Sequence, residues 1–170
     1  MLAPLLCLPA AAGPWTEGRG AAIPPPGYLS MCAETPALCL IDRRPGAEPR
    51  VMSKADWTAL LAVNRAVNDA ITPQVDQGDH WRIGASSGDC EDYALTKRDQ
   101  LLRLGWRASD LLIATAETAF GEAHAVLIAR TDAGDYVLDN LTDSVLRWDE
   151  TALRLTSRQS ERLPALWVRL

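Results

Sequence analysis

Apolar residues recur at two different periods along this chain, and the change of period divides it. Between Ser53 and Pro73, Trp57, Leu60, Leu61, Asn64, Val67, Asn68 and Ile71 fall at i, i+3, i+4 spacing, which predicts a helix with one buried stripe. Ser53 with Asp56 three residues on reads as a capping box, and Pro73 ends the helix. Asn64 and Asn68 lie on the apolar stripe, so they read as buried clamps or helix-end contacts rather than ligands. Residues 74–88 form a polar loop with Trp81 near its middle. A second helix is predicted from Cys90 to Leu104, with Asp89 as its cap, Asp92 completing a reciprocal cap from the third position, and Gly105 stopping it.

Past Gly105 the period becomes that of strands. Leu111–Ala116, Ala123–Arg130 and Asp135–Asp139 are strand candidates, and the turn at residues 131–134 makes the last two an antiparallel hairpin. Val145–Trp148 and Leu166–Leu170 add edge strands. Helices followed by an antiparallel meander predict an α+β fold.

The N-terminal third looks different. Met1–Ala12 carries no charge, is nearly all apolar and ends in three alanines, which reads as the back half of an export signal lacking its basic region. Residues 13–52 are rich in Pro and Gly and predict an extended arm with little regular structure. The domain proper is expected over residues 53–170. Length bounds the whole: 170 residues suit one domain with a real core. A net charge of −5 without a Lys/Arg run argues against nucleic-acid binding. No stretch reaches the roughly 18–20 apolar residues that span a bilayer.

Of the four cysteines, Cys7 falls in the presumed signal. In an oxidising compartment Cys32 and Cys39 can close a short ring worth about 2.5 kcal/mol. That leaves Cys90 odd, a candidate reactive thiol at the first turn of a helix, where peptide dipoles favour a thiolate. His124 lies in one strand of the hairpin and Asp139 ends the other. The turn pairs residues whose numbers sum to about 265, and these two sum to 263, so they are near cross-strand neighbours. A carboxylate beside an imidazole fixes its tautomer, and a helix-borne thiol packed on the hairpin would complete a Cys-His-Asp set suited to acyl transfer. Singly, each residue has a plainer reading: core histidine, turn aspartate, inert core cysteine. A zinc site at Cys90 and His124 would need a further ligand.

Gly88-Asp89-Cys90-Glu91-Asp92-Tyr93-Ala94, His124-Ala125-Val126-Leu127 and Val137-Leu138-Asp139-Asn140 closely resemble the bacterial transglutaminase-like cysteine peptidases. Val63–Asn68 and Trp81 look like the family too, and the resemblance runs over about residues 30–150. It implies a papain-like/transglutaminase core with the nucleophile helix packed on an antiparallel sheet. It also implies Cys90 as nucleophile, His124 as base, Asp139 as orienting acid, and a periplasmic location. The departures lie in the short leader, the loop Gln77–Arg82 and the brief arm.

Asp89, Glu91 and Asp92 crowd the thiol. A unit charge about 7 Å away costs a thiolate about 2.4 kcal/mol at an effective dielectric of 20. A divalent cation would relieve this, and clustered carboxylates suit Ca²⁺. The resemblance implies calcium dependence, with Asp89 and Glu91 at the matching ligand positions. The Cys90 backbone N–H, and Trp81 through its indole N–H, are candidate oxyanion donors. The reading is an exported cysteine peptidase acting on a protein. The resemblance extends this to release of a large surface adhesin under an inner-membrane receptor. Two alternatives stay open: a transglutaminase or deamidase acting on Gln through the same triad, and a non-catalytic calcium-dependent binding module.

Overall fold

The computed structural model describes residues 13–39, 48–75 and 77–170. The expected export signal at residues 1–12 lies outside them. Among the described residues nine strands form: β1 Ala21–Ala22, β2 Thr72–Pro73, β3 Ser87–Gly88, β4 Leu111–Glu117, β5 Ala123–Thr131, β6 Gly134–Leu138, β7 Leu146–Arg147, β8 Arg154–Gln159 and β9 Trp167–Arg169. Seven build one antiparallel sheet in the order β1-β9-β8-β4-β5-β6-β7. The short β2 and β3 pair in parallel and close the loop that leads to Cys90.

Among the described residues three α-helices accompany the sheet: α1 Pro26–Glu34, α2 Lys54–Ala70 and α3 Cys90–Arg103. Both long helices fall where the apolar period places them. Ser53 and Asp56 form the reciprocal box, with Asp56 N–H donating to Ser53 Oγ at 3.1 Å and Ser53 N–H to Asp56 Oδ2 at 3.1 Å. Alternation along the central strands splits the core in two. Ile113, Leu127, Ala129 and Leu138 face the helices, packing with Leu60, Val67, Tyr93 and Leu101. Leu112, Ala114, Val126, Ile128 and Val137 form the opposite face, covered by Trp148, Leu153 and Leu155. The fold is α+β, as expected.

Two elements depart from the expectation. Residues 26–34 form a helix inside what reads as an irregular arm. Pro26 opens it, Tyr28 and Met31 are buried, and a disulfide joins Cys32 to Cys39 at a Cα separation of 5.6 Å. Its apolar stripe is only two large side chains deep, too little to register as a period beside so many prolines. The second is β8, central in the sheet yet reading Arg-Leu-Thr-Ser-Arg-Gln. Hydrogen bonds replace apolar alternation there: Thr115 Oγ1 meets Thr156 and Ser157 hydroxyls at 2.8 and 2.7 Å, and Gln159 Oε1 accepts Ile113 N–H at 2.7 Å.

Candidate active site

Cys90 is the first residue of α3 and is a free, half-buried thiol. The Gly88–Asp92 run explains its setting. A Cβ on Gly88 would lie 2.0 Å from Asp92 Oδ2, so only glycine lets the Asp92 carboxylate fold back there. This corrects the expected reciprocal cap. The Asp89 side chain makes no cap hydrogen bond. Asp92 accepts instead from Arg82 N–H at 2.7 Å and lies 3.6 Å from the Arg82 guanidinium. The first turn is closed by Asp92 and Tyr93 N–H donating to the Asp89 carbonyl. Asp92 ties the preceding loop to the helix that carries the thiol.

The sulfur has two polar neighbours. Its S–H donates to Glu91 Oε2 at 3.3 Å, and the Ala125 backbone N–H of β5 donates to it. Burial, then the Glu91 carboxylate and the Asp89 charge, push the thiol up to about 12, and only the Ala125 N–H pulls the other way. Glu91 is itself raised to about 7, first by burial and then by Asp89. As it stands, the thiol holds its proton.

One residue along β5 from Ala125 sits His124. The hairpin register is the expected one, with Leu127 opposite Leu138 and Thr131 opposite Gly134. His124 Nε2 and Asp139 Oδ1 are 2.8 Å apart, and both residues are buried. Burial tends to raise Asp139. The His124 bond, the Leu141 N–H at 3.0 Å and the Lys97 charge outweigh it and hold this carboxyl below its ordinary value. With Nε2 given to Asp139, Nδ1 is the imidazole nitrogen left for proton exchange. The structure thus brings His124 to Asp139 and Cys90 to the adjoining backbone, while the thiol's own bond runs to Glu91.

Asn64 and Asn68 act as clamps. Asn64 Nδ2 donates to the Thr142 carbonyl at 3.0 Å, and Asn68 Nδ2 to the Asp139 and Thr142 carbonyls at 3.1 Å each. Helix α2 therefore fixes the turn that presents Asp139. Trp81 donates its indole N–H to Asp79 Oδ1 at 2.7 Å and stacks edge-on against Tyr28, so that proton is already used. Asp89 and Glu91 lie side by side at the thiol. Among the described residues no group of three or more His, Cys, Asp or Glu side chains could hold a metal ion.

Glu91, expected beside the thiol as a candidate calcium ligand, turns inward and accepts the thiol's hydrogen bond. One buried charge escapes the sequence reading. Lys97 is fully buried. Its signal was available: positions 90, 94, 97 and 101 share one helical face, so a lysine at 97 points into the core.

Residues 18–170 match the family of bacterial transglutaminase-like cysteine proteinases (BTLCP). Among solved structures the chain is similar to LapG of Legionella pneumophila, at 25% identity and a TM-score of 0.57 over 66% of this chain and 68% of that one. It is similar also to the calcium-bound form of that protein, at 24% identity and a TM-score of 0.57 over the same shares. The EGTA-treated form gives 24% identity and 0.57 over 67% of each chain. No curated protein matches.

Proposed function

The chain belongs to the bacterial transglutaminase-like cysteine proteinases, and from that premise we propose that it hydrolyses a protein substrate in the periplasm through Cys90, His124 and Asp139. The observation that carries the reading is the 2.8 Å bond between His124 on β5 and Asp139 just past β6, one residue from the backbone N–H that meets the Cys90 sulfur. In this mechanism His124 Nδ1 takes the thiol proton, and the sulfur bonds the scissile carbonyl carbon. His124 then gives the proton to the leaving amine, and water releases the acyl group. The Cys90 backbone N–H at the start of α3 supplies an oxyanion donor. Asp139 holds the imidazole's orientation and offsets its charge while it carries two protons. Beside Asp139, a cleft of about 440 Å³ is walled by Val137, Leu146 and Leu153, with Phe120 and Leu141 exposed at it, a surface suited to an apolar peptide segment.

Asp89 and Glu91 are the groups that would hold calcium. Both are hard oxygen donors, and Glu91 is a buried carboxyl held near neutrality for want of a compensating charge. Two carboxylates fill part of a calcium shell, and carbonyls or solvent would supply the rest. A cation there would lower the thiol's pKa against the two acids that now raise it. The related LapG structures in calcium-bound and EGTA-treated forms support this reading. The family resemblance extends the proposal to a large surface adhesin as substrate and an inner-membrane receptor as regulator.

Alkylation of Cys90 by iodoacetamide tests the core of the proposal. The His124→Ala protein, folded by circular dichroism, is expected to react about a hundredfold more slowly than the unmodified chain. Equal rates would make the thiol an idle residue of a binding module. Chelation with EGTA is expected to slow alkylation in the unmodified chain, and no change would remove calcium. New peptide termini on an adhesin fragment, absent with Cys90→Ala, support hydrolysis; labelled-amine incorporation in their place would mark a transglutaminase.

A further inference from the structure

Lys97 is among the largest side chains sealed in the core, fully buried on the inward face of α3. Its Nζ has no hydrogen-bond partner among the described residues and lies 5.9 Å from the centre of the Tyr93 ring. Burying an ammonium is unfavourable, and a methionine would fill the same space without that penalty. Stability alone therefore does not account for the residue.

The charges around it do. Asp139 and Asp143, both on the turn after β6, act on the Lys97 ammonium, and Tyr93 faces it from its own helix. Helix α2 presents neutral amides to the same turn, where Asn68 Nδ2 also reaches Asp143 Oδ1 at 3.1 Å. From β5, His124 engages the far end of the set through Asp139. The turn is thus clamped by α2 through Asn64 and Asn68, and its Asp139 carboxylate meets the His124 imidazole while it feels the buried Lys97 charge of α3.

We propose that Lys97 is a positioning residue of this site: its buried, unpartnered ammonium acts on the turn that carries Asp139 and so sets how that carboxylate meets His124. The inference rests on the triad reading above. Lys97 touches no reacting atom and acts only through Asp139. Burial lowers the lysine to about 7, against the pull of the two aspartates, so its charge is sensitive to the loss of either partner.

The test is a mutant cycle read by iodoacetamide alkylation of Cys90. Lys97→Met is expected to keep or raise Tm yet slow alkylation about tenfold, because it removes a costly charge but not the packing. Added to Asp139→Asn, it should slow the reaction no further. In ¹³C-carboxyl NMR, Asp139 is expected to titrate about one unit higher in Lys97→Met. The coupling is also readable from the other side, should Lys97→Met not fold. In Asp139→Asn, the ¹³Cε signal of Lys97 should titrate about one unit lower, since coupling between two sites is reciprocal. Unchanged alkylation in folded Lys97→Met, fully additive losses, or a Lys97 titration blind to Asp139→Asn would each overturn the inference. If Asp139→Asn itself leaves alkylation unchanged, the triad reading fails. If Asp139→Asn slows it and Lys97→Met does not, only the role of Lys97 fails.

Discussion

At the scale of single residues, the site is a balance of protons. Glu91 binds one in the folded chain that the unfolded chain has released between about pH 4.5 and 7. Its stabilising share is therefore complete below its unfolded value and is lost as pH rises through about 7. Glu91→Gln removes that dependence. Urea unfolding at pH 8 should find the variant more stable by about 1–3 kcal/mol, and a less stable variant would show that the carboxylate is needed for the fold. By the same sign, calcium should raise the Tm of the unmodified chain at pH 8 and have little effect on the variant. The His124–Asp139 contact was legible in the sequence because the turn at residues 131–134 sets the hairpin register that brings the two together. The Glu91–thiol bond was not legible. A surface acid and an inward acid look alike at a helix start, and only the buried backbone decides between them.

The elements show why some of the fold was readable and some was not. Helix α2 announced itself through a capping box and a clean stripe. Helix α3 did so through Gly105, whose φ of +88° suits a residue without a side chain. The hairpin of β5 and β6 followed from its turn. By contrast, β8 is held by hydroxyl and amide bonds that leave no apolar alternation, and α1 offers two anchors behind a run of prolines. Gly88, at the end of β3, is a tightly specified position. Gly88→Ala would drive a methyl into Asp92 Oδ2, and the Arg82 contacts would have to give way. The expected outcome is a loss of about 1–3 kcal/mol in chemical denaturation together with slower Cys90 alkylation. A neutral effect on both would mean that the carboxylate has another resting place.

On the scale of the whole molecule, the N-terminal segment is stitched into the sheet rather than laid on it. Thr16 N–H and Oγ1 donate to the buried Asp135 at 2.8 and 2.6 Å, and Arg158 Nε donates to Thr16 Oγ1 at 2.8 Å. Trp15 Nε1 reaches the Thr131 carbonyl at 2.9 Å. Deleting residues 13–22 would uncover the β9 edge and leave Asp135 and Arg158 short of partners in the core. Calorimetry should then show Tm lower by more than about 5 °C; an unchanged Tm would mean that these bonds add nothing net.

That same seam bears on how the protein is made. Ala21 pairs with Val168, so the first strand of the sheet can be laid down only after β9 has been synthesised. A contact of such long range slows folding. That outer edge therefore stays unpaired until β9 emerges, and the β5–β6 hairpin that brings His124 to Asp139 has to keep its register without it.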